Sequence, residues 1–89
     1  MQEEFFFYHF ENGYPCHRFA VSVNRRIGSA VQRNYIKRKM RELFRLNQHL
    51  IAGPQKYDLW VVMKKRFTKE DSPQIEKLFA DSLKRVASK

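Results

Sequence analysis

The stretch Arg33-Asn34-Tyr35-Ile36-Lys37-Arg38-Lys39-Met40-Arg41 gathers five cations into nine residues. Guanidinium groups fork onto phosphate through two parallel hydrogen bonds, whereas ammonium acts as a point charge. The charge is also sorted. Projected at about 100° per residue, residues 30 to 51 place Ile36, Met40, Leu43, Phe44, Leu50 and Ile51 in one arc. Asn34, Lys37, Arg38, Arg41 and Arg45 fall in another. One side of such a helix can bury against a sheet while the other offers a row of cations to a phosphate backbone.

A basic helix face is often only a solvated surface, but solvated faces usually intersperse acids that pair four residues apart. Here Glu42 stands alone, and Lys37, Arg38, Arg41 and Arg45 repel one another at helical spacing. A sequence that accepts this repulsion recovers the cost by binding an anion. Asn34 can bond backbone or a base edge, or simply sit on the helix surface. Arg25 and Arg26 precede the helix, close to its positive end, where phosphate is favoured. Lys64, Lys65 and Arg66 either extend the patch or form a plain loop after a strand.

Two aromatics, Phe6 and Tyr8, are candidates for stacking unpaired bases, a contribution of about 1–3 kcal/mol per base. Core packing is the competing reading for Phe6, and Tyr8 with its polar tip is the better stacking candidate. His9, Cys16 and His17 lack a fourth ligand and any familiar zinc spacing. The three histidines lack paired carboxylates or an oriented partner for acid–base cleavage of RNA. No protein-held metal, cofactor or catalytic residue is therefore expected.

The rest of the chain agrees. Its 89 residues carry a formal charge of +9, and eight of the eighteen cations lie between residues 25 and 45 with one acid. Charge so localised implies a polyanionic partner, nucleic acid before a membrane surface. An aromatic content of 15% argues against disorder. A single cysteine, Cys16, forbids an internal disulfide and suits a reducing cytoplasm. No apolar run reaches the roughly 20 residues that span a bilayer, and the acidic opening is unlike a signal peptide. One RNA-binding domain over residues 1–89 is expected, with no obligate protein partner.

The elements that must position these groups read as strand, strand, helix, strand, helix, an α+β layer of helices on a small sheet. Glu4 to Phe10 reads as an aromatic strand whose two apolar faces suggest cover on both sides. Arg18 to Asn24 alternates, with Phe19, Val21 and Val23 opposite the small Ala20 and Ser22, which leave room for a close neighbour. These two strands are expected to pair as an antiparallel hairpin through the turn at residues 11–15. Ser29 and Gln32 form a capping-box pattern, so the long helix should start near Ala30 and end before Gly53-Pro54. Tyr57 to Met63 reads as a strand buried within the sheet. Ser72 should cap a last helix with Pro73 in its first turn and Ile75, Leu78, Phe79, Ser82 and Val86 facing inward.

Phe19 to Arg45 resembles the protein subunit of bacterial ribonuclease P. The matching order is an alternating strand, then Asn24-Arg25-Arg26-Ile27-Gly28, Ala30-Val31, and Arg33-Asn34-x-Ile36-Lys37-Arg38-x-x-Arg41-Glu42. Tyr57 to Val62 and the closing helix are similar too, so the likeness covers nearly the whole chain. It implies a mixed sheet with a left-handed strand–helix–strand crossover, against the usual hand. It also implies that the basic helix binds the catalytic RNA and that a cleft between helix and sheet holds the 5′ leader of precursor tRNA. The reaction centre would lie in the RNA, where magnesium activates water. The resemblance, more than the helical projection, adds Arg33 to the contacts, and it places Tyr8, with Phe6 sharing its face, on the cleft strand.

Two departures stand out. Tyr35 occupies the third place of an Arg-Asn-Arg signature, which removes one phosphate contact. The family also begins with a basic, Phe-containing helix and a short strand ahead of the aromatic strand. A start lying upstream of Met1 is the expectation, and intact mass tests it against 10.8 kDa. The rival reading is a noncatalytic RNA-binding protein of ribosomal type. A helix reading DNA in the major groove would want base-reading side chains and usually a dimer.

Overall fold

A computed structural model describes residues 5–67 and 70–86. Its elements are β1 (Phe5–Glu11), β2 (Arg18–Val23), α1 (Ala30–Asn47), β3 (Tyr57–Met63) and α2 (Ser72–Val86). Short 3-10 turns at Arg25–Ile27 and Gln48–Leu50 flank α1. The expected start of the first strand at Glu4 lies outside the described residues.

The sheet is mixed, and its order is β1-β3-β2. The expected hairpin between the first two strands does not form. β3 inserts between them, antiparallel to β1 and parallel to β2. The most apolar segment of the chain thereby gains a neighbour on each edge, and both its rows of backbone groups are paired. The loop after β1 serves this layout. Asn12 N–H continues onto the Lys56 carbonyl at 2.9 Å, Gly13 turns at φ +70°, and Asn12 Oδ1 accepts the Tyr14 N–H at 2.7 Å. Residues 12–17 then cross β3, a step of about 10 Å for two strand spacings. A parallel pair needs a crossover connection, and α1 provides it between β2 and β3.

The start of α1 follows its capping signal. Ser29 Oγ accepts the Gln32 N–H at 3.2 Å, and Gln32 Oε1 accepts the Ser29 N–H at 2.9 Å. A cap of this kind contributes about 1 kcal/mol. Gly28 makes room for it, since a Cβ there would collide with the Gln32 carboxamide. The helix ends earlier than Gly53, at Asn47, whose side-chain amide donates to the Leu43 carbonyl at 2.8 Å. Ser72, expected as the cap of α2, is instead its first helical residue, with a buried hydroxyl that finds no partner among the described residues. The first-turn bond of α2 runs from the Ile75 N–H to the Asp71 carbonyl at 3.1 Å.

Both helices pack on one face of the sheet. Phe44 of α1 stacks on Phe19 of β2 with centroids 4.8 Å apart. Phe79 of α2 meets Phe5, Phe7 and Phe19 edge-on at 5.7–6.4 Å. Ile36, Met40, Leu59, Val61, Ile75 and Leu83 close the core around them. Leu83 joins the stripe expected on α2, while Leu78 is only half-buried. No helix among the described residues is long and apolar enough to cross a membrane.

His17 ties the loop to the sheet. Its Nδ1 accepts the Tyr57 N–H at 3.1 Å, and its ring stacks on that of Tyr57. Burial, helped by the charge of Lys56, lowers its pKa below the ordinary 6.5. A protonated imidazole has no acceptor, so the fold uses the neutral ring and the unfolded chain binds the proton more readily. The stability His17 adds is thus fully present above 6.5 and declines as the pH falls through the depressed value. Thermal unfolding should show a lower Tm near pH 5.5 than near pH 7.5, and His17→Asn, which keeps an acceptor that does not titrate, should remove that part of the fall. An unchanged slope in the variant would contradict the assignment.

Candidate nucleic-acid interface

Alternation along each strand turns odd-numbered residues of all three strands toward the helix-covered side, where all but His9 and Glu11 are buried or half-buried, and even-numbered ones to the opposite face. The register sets the latter in three rows: Phe6, Val62 and Ser22; Tyr8, Trp60 and Ala20; Phe10, Asp58 and Arg18. Two covered faces were expected for the first strand. The structure has one, because both helices lie on the other side. Phe6 is 47% exposed, Tyr8 41%, Trp60 44% and Phe10 64%. Core packing is therefore not the role of Phe6.

The rings form a connected group. Phe6 and Tyr8 have centroids 6.3 Å apart, and Tyr8 and Trp60 5.4 Å. The Lys64 ammonium lies 4.6 Å from the Phe6 ring centre, a cation–π contact. The far row is closed by a bidentate ion pair in which Arg18 donates to Asp58 at 2.6 and 2.7 Å. Asn12 Nδ2 adds a bond to the same carboxylate at 3.0 Å. Hydrogen bonds from Arg18 and Asn12 hold the Asp58 pKa down at about 2, and the same pairing raises that of Arg18. Arg18 is thereby neutralised.

The basic helix packs over β2 on the other side of the sheet. Phe44 fixes one flank of α1 to β2, while Lys39 pairs with Glu76 of α2 at 3.3 Å and fixes the other. At 100° per residue, Lys37 and Arg41 continue round from Phe44. The cationic arc therefore begins at the β2 edge of the sheet and turns outward to Arg45 and Arg38. Asn34, Arg38, Arg41 and Arg45 are exposed, and Lys37 is half-buried. Arg33 is also half-buried, as its projection near the apolar arc implies. Arg25 and Arg26 are exposed in the turn after β2, where Asn24 Oδ1 accepts the Arg26 N–H at 2.9 Å.

Among the described residues no acid pairs with Arg25, Arg26, Arg33, Lys37, Arg38, Arg41 or Arg45; the two ion pairs found take Arg18 and Lys39 instead. Among the described residues these seven cations have no counter-ion, which leaves them open to an external anion. Tyr35 points elsewhere, its ring 6.1 Å from that of the buried Phe67. Its place in the signature is thus used for packing. Arg66 reaches the head of α1, with Nη1 3.4 Å from Gln32 Oε1.

Two members of the surface were not picked out in the sequence. Trp60 lies in a run whose apolar character predicts a buried strand, although Asp58, two residues earlier, marks that side of β3 as open. Lys64 lies in the loop after β3, and its seat over Phe6 brings it to the aromatic face.

Comparison with known proteins identifies the family. The family model for ribonuclease P matches residues 1–87. The ribonuclease P protein component of Desulfatibacillum aliphaticivorans is 46% identical over 56 residues, covering 63% of this chain and 46% of that protein. That of Pseudomonas putida KT2440 is 37% identical over 78 residues, covering 86% of this chain and 56% of its own length. The chain thus spans about half the length of these relatives. The solved RNase P protein from Thermotoga maritima superposes with a TM-score of 0.76 at 29% identity, over 97% of this chain and 80% of that one. Fold and sequence converge, and the chain belongs to the ribonuclease P protein family.

Proposed function

We propose that the chain is the protein subunit of ribonuclease P, assisting the removal of 5′ leaders from precursor tRNA by a catalytic RNA. The observation that carries this reading is a cationic arc on α1 with no acid paired to it among the described residues, in the same small fold as an exposed aromatic sheet face. The two surfaces suit two kinds of RNA contact. Arg33, Asn34, Lys37, Arg38, Arg41 and Arg45, with Arg25 and Arg26, would meet phosphate and sugar and reduce repulsion between the catalytic RNA and its substrate. Phe6 and Tyr8 would receive the leader, because π faces accept unpaired bases with little regard to identity. Bond cleavage is assigned to the RNA, whose bound magnesium would activate water and stabilise the leaving oxygen.

The test is reconstitution. Adding the protein to a ribonuclease P RNA at low magnesium, where RNA–RNA repulsion is least screened, should accelerate leader removal. Binding of that RNA without any stimulation would favour a ribosomal-type RNA-binding protein instead.

A further inference from the structure

Trp60 is a part of the open face that this reading leaves unused. It is the only tryptophan of the chain, and it stands on the central strand. Its indole Nε1–H donates to Ser22 Oγ at 2.9 Å. Ser22 is in register with Val62, one row away from Trp60, so the ring leans along the sheet toward β2 instead of standing up from it. The small side chains at Ala20 and Ser22 leave room for this.

The polar atom of the indole is already engaged, so Trp60 offers a base its π face and no edge-reading donor. Its centroid lies 5.4 Å from that of Tyr8, wider than the roughly 3.4 Å spacing of stacked bases. Bases seated on the two rings would lie side by side. Only an unpaired, unstacked strand can present them so. A duplex keeps its base faces inside the helix and has nothing to offer these rings. Charge favours the same occupant, with Lys64 at the Phe6 end and the neutralised Arg18–Asp58 pair at the other.

Resting on the reading of this face as the seat of the leader, we propose that Trp60 stacks a second unpaired nucleobase beside the one at Tyr8, with Ser22 as the positioning residue that fixes the plane of the indole. The lone tryptophan makes the proposal directly readable. A short oligouridylate is titrated into the full chain while Trp60 emission and the anisotropy of the labelled strand are followed together. Emission is expected to be quenched along the anisotropy curve. Trp60→Leu should weaken binding by roughly 5- to 150-fold, the range that stacking of one base covers. Ser22→Ala keeps the ring but frees it, and should give a smaller loss with retained quenching.

Binding without any change in emission, or a Trp60→Leu variant that binds as well as the unsubstituted protein, would overturn the proposal. Trp60 lies outside the core, so the variant should fold; if it does not, the emission titration on the unsubstituted chain decides alone. If Trp60 fails while Tyr8→Ala still weakens binding, the leader reading stands without it. If Tyr8→Ala and Phe6→Ala are also silent, that reading itself falls.

Discussion

Replacing Arg38 and Arg41 together by alanine should lower the salt slope of RNA binding by about two. Counterion release gives each phosphate contact a slope near 0.9, so between 1 M and 0.1 M salt one contact is worth about eightfold in affinity and two about 60-fold. The variant should therefore bind the catalytic RNA roughly 60-fold more weakly at 0.1 M salt and approach the parent protein as salt rises. The loss should not be a folding defect, because both side chains are exposed and neither pairs with an acid among the described residues. Lys39→Ala is the control. Lys39 sits on the same helix but is held by Glu76 on the opposite flank, so its removal should leave the slope nearly unchanged. Equal slopes for the double variant and its parent would mean that the arc does not meet phosphate.

Phe79→Ala should be the most damaging single change to stability. Phe79 is fully buried and touches Phe5, Phe7 and Phe19, joining α2 to both edge strands. Truncating a buried phenylalanine costs about 3–5 kcal/mol. A chain of this size has a total stability of only about 4–13 kcal/mol, at 0.05–0.15 kcal/mol per residue. The variant should thus be near or past its unfolding midpoint at 37 °C, by circular dichroism or denaturant titration. Tyr8→Ala should cost less than about 1 kcal/mol, since its ring is on the bare face and surface substitutions are mild. Similar losses for the two would contradict the placement of the core on one side of the sheet.

What the sequence made legible was local. The capping box at Ser29 and Gln32, the two arcs of α1 and the inner stripe of α2 depend on neighbours three or four residues apart, and each appears in the structure. The strand order was not legible, because pairing between strands is a competition among long-range partners. Adjacency in the chain favoured a hairpin, whereas burial of both edges of Tyr57–Met63 favoured β3 in the middle. The bare face was misread for a related reason. Phe6, Tyr8 and Phe10 are as apolar as the core residues beside them, and only the count of helices available to cover the sheet separates a hidden aromatic from an exposed one. Trp60 was lost in the same way, within an apolar run whose one polar residue, Asp58, belongs to the open side. Tyr35 shows the opposite case: its side chain departs from a basic signature, and the structure gives it an apolar neighbour in Phe67.

The central claim is that phosphate is met by the helix and unpaired bases by the sheet. Its most direct test is the preference of the reconstituted enzyme for leader-bearing over mature tRNA, compared between a Phe6→Ala/Tyr8→Ala variant and Arg38→Ala/Arg41→Ala. The sheet variant should lose the preference and keep its affinity for the catalytic RNA, and the helix variant should do the reverse. A sheet variant that still favours the leader-bearing substrate in full would contradict the claim.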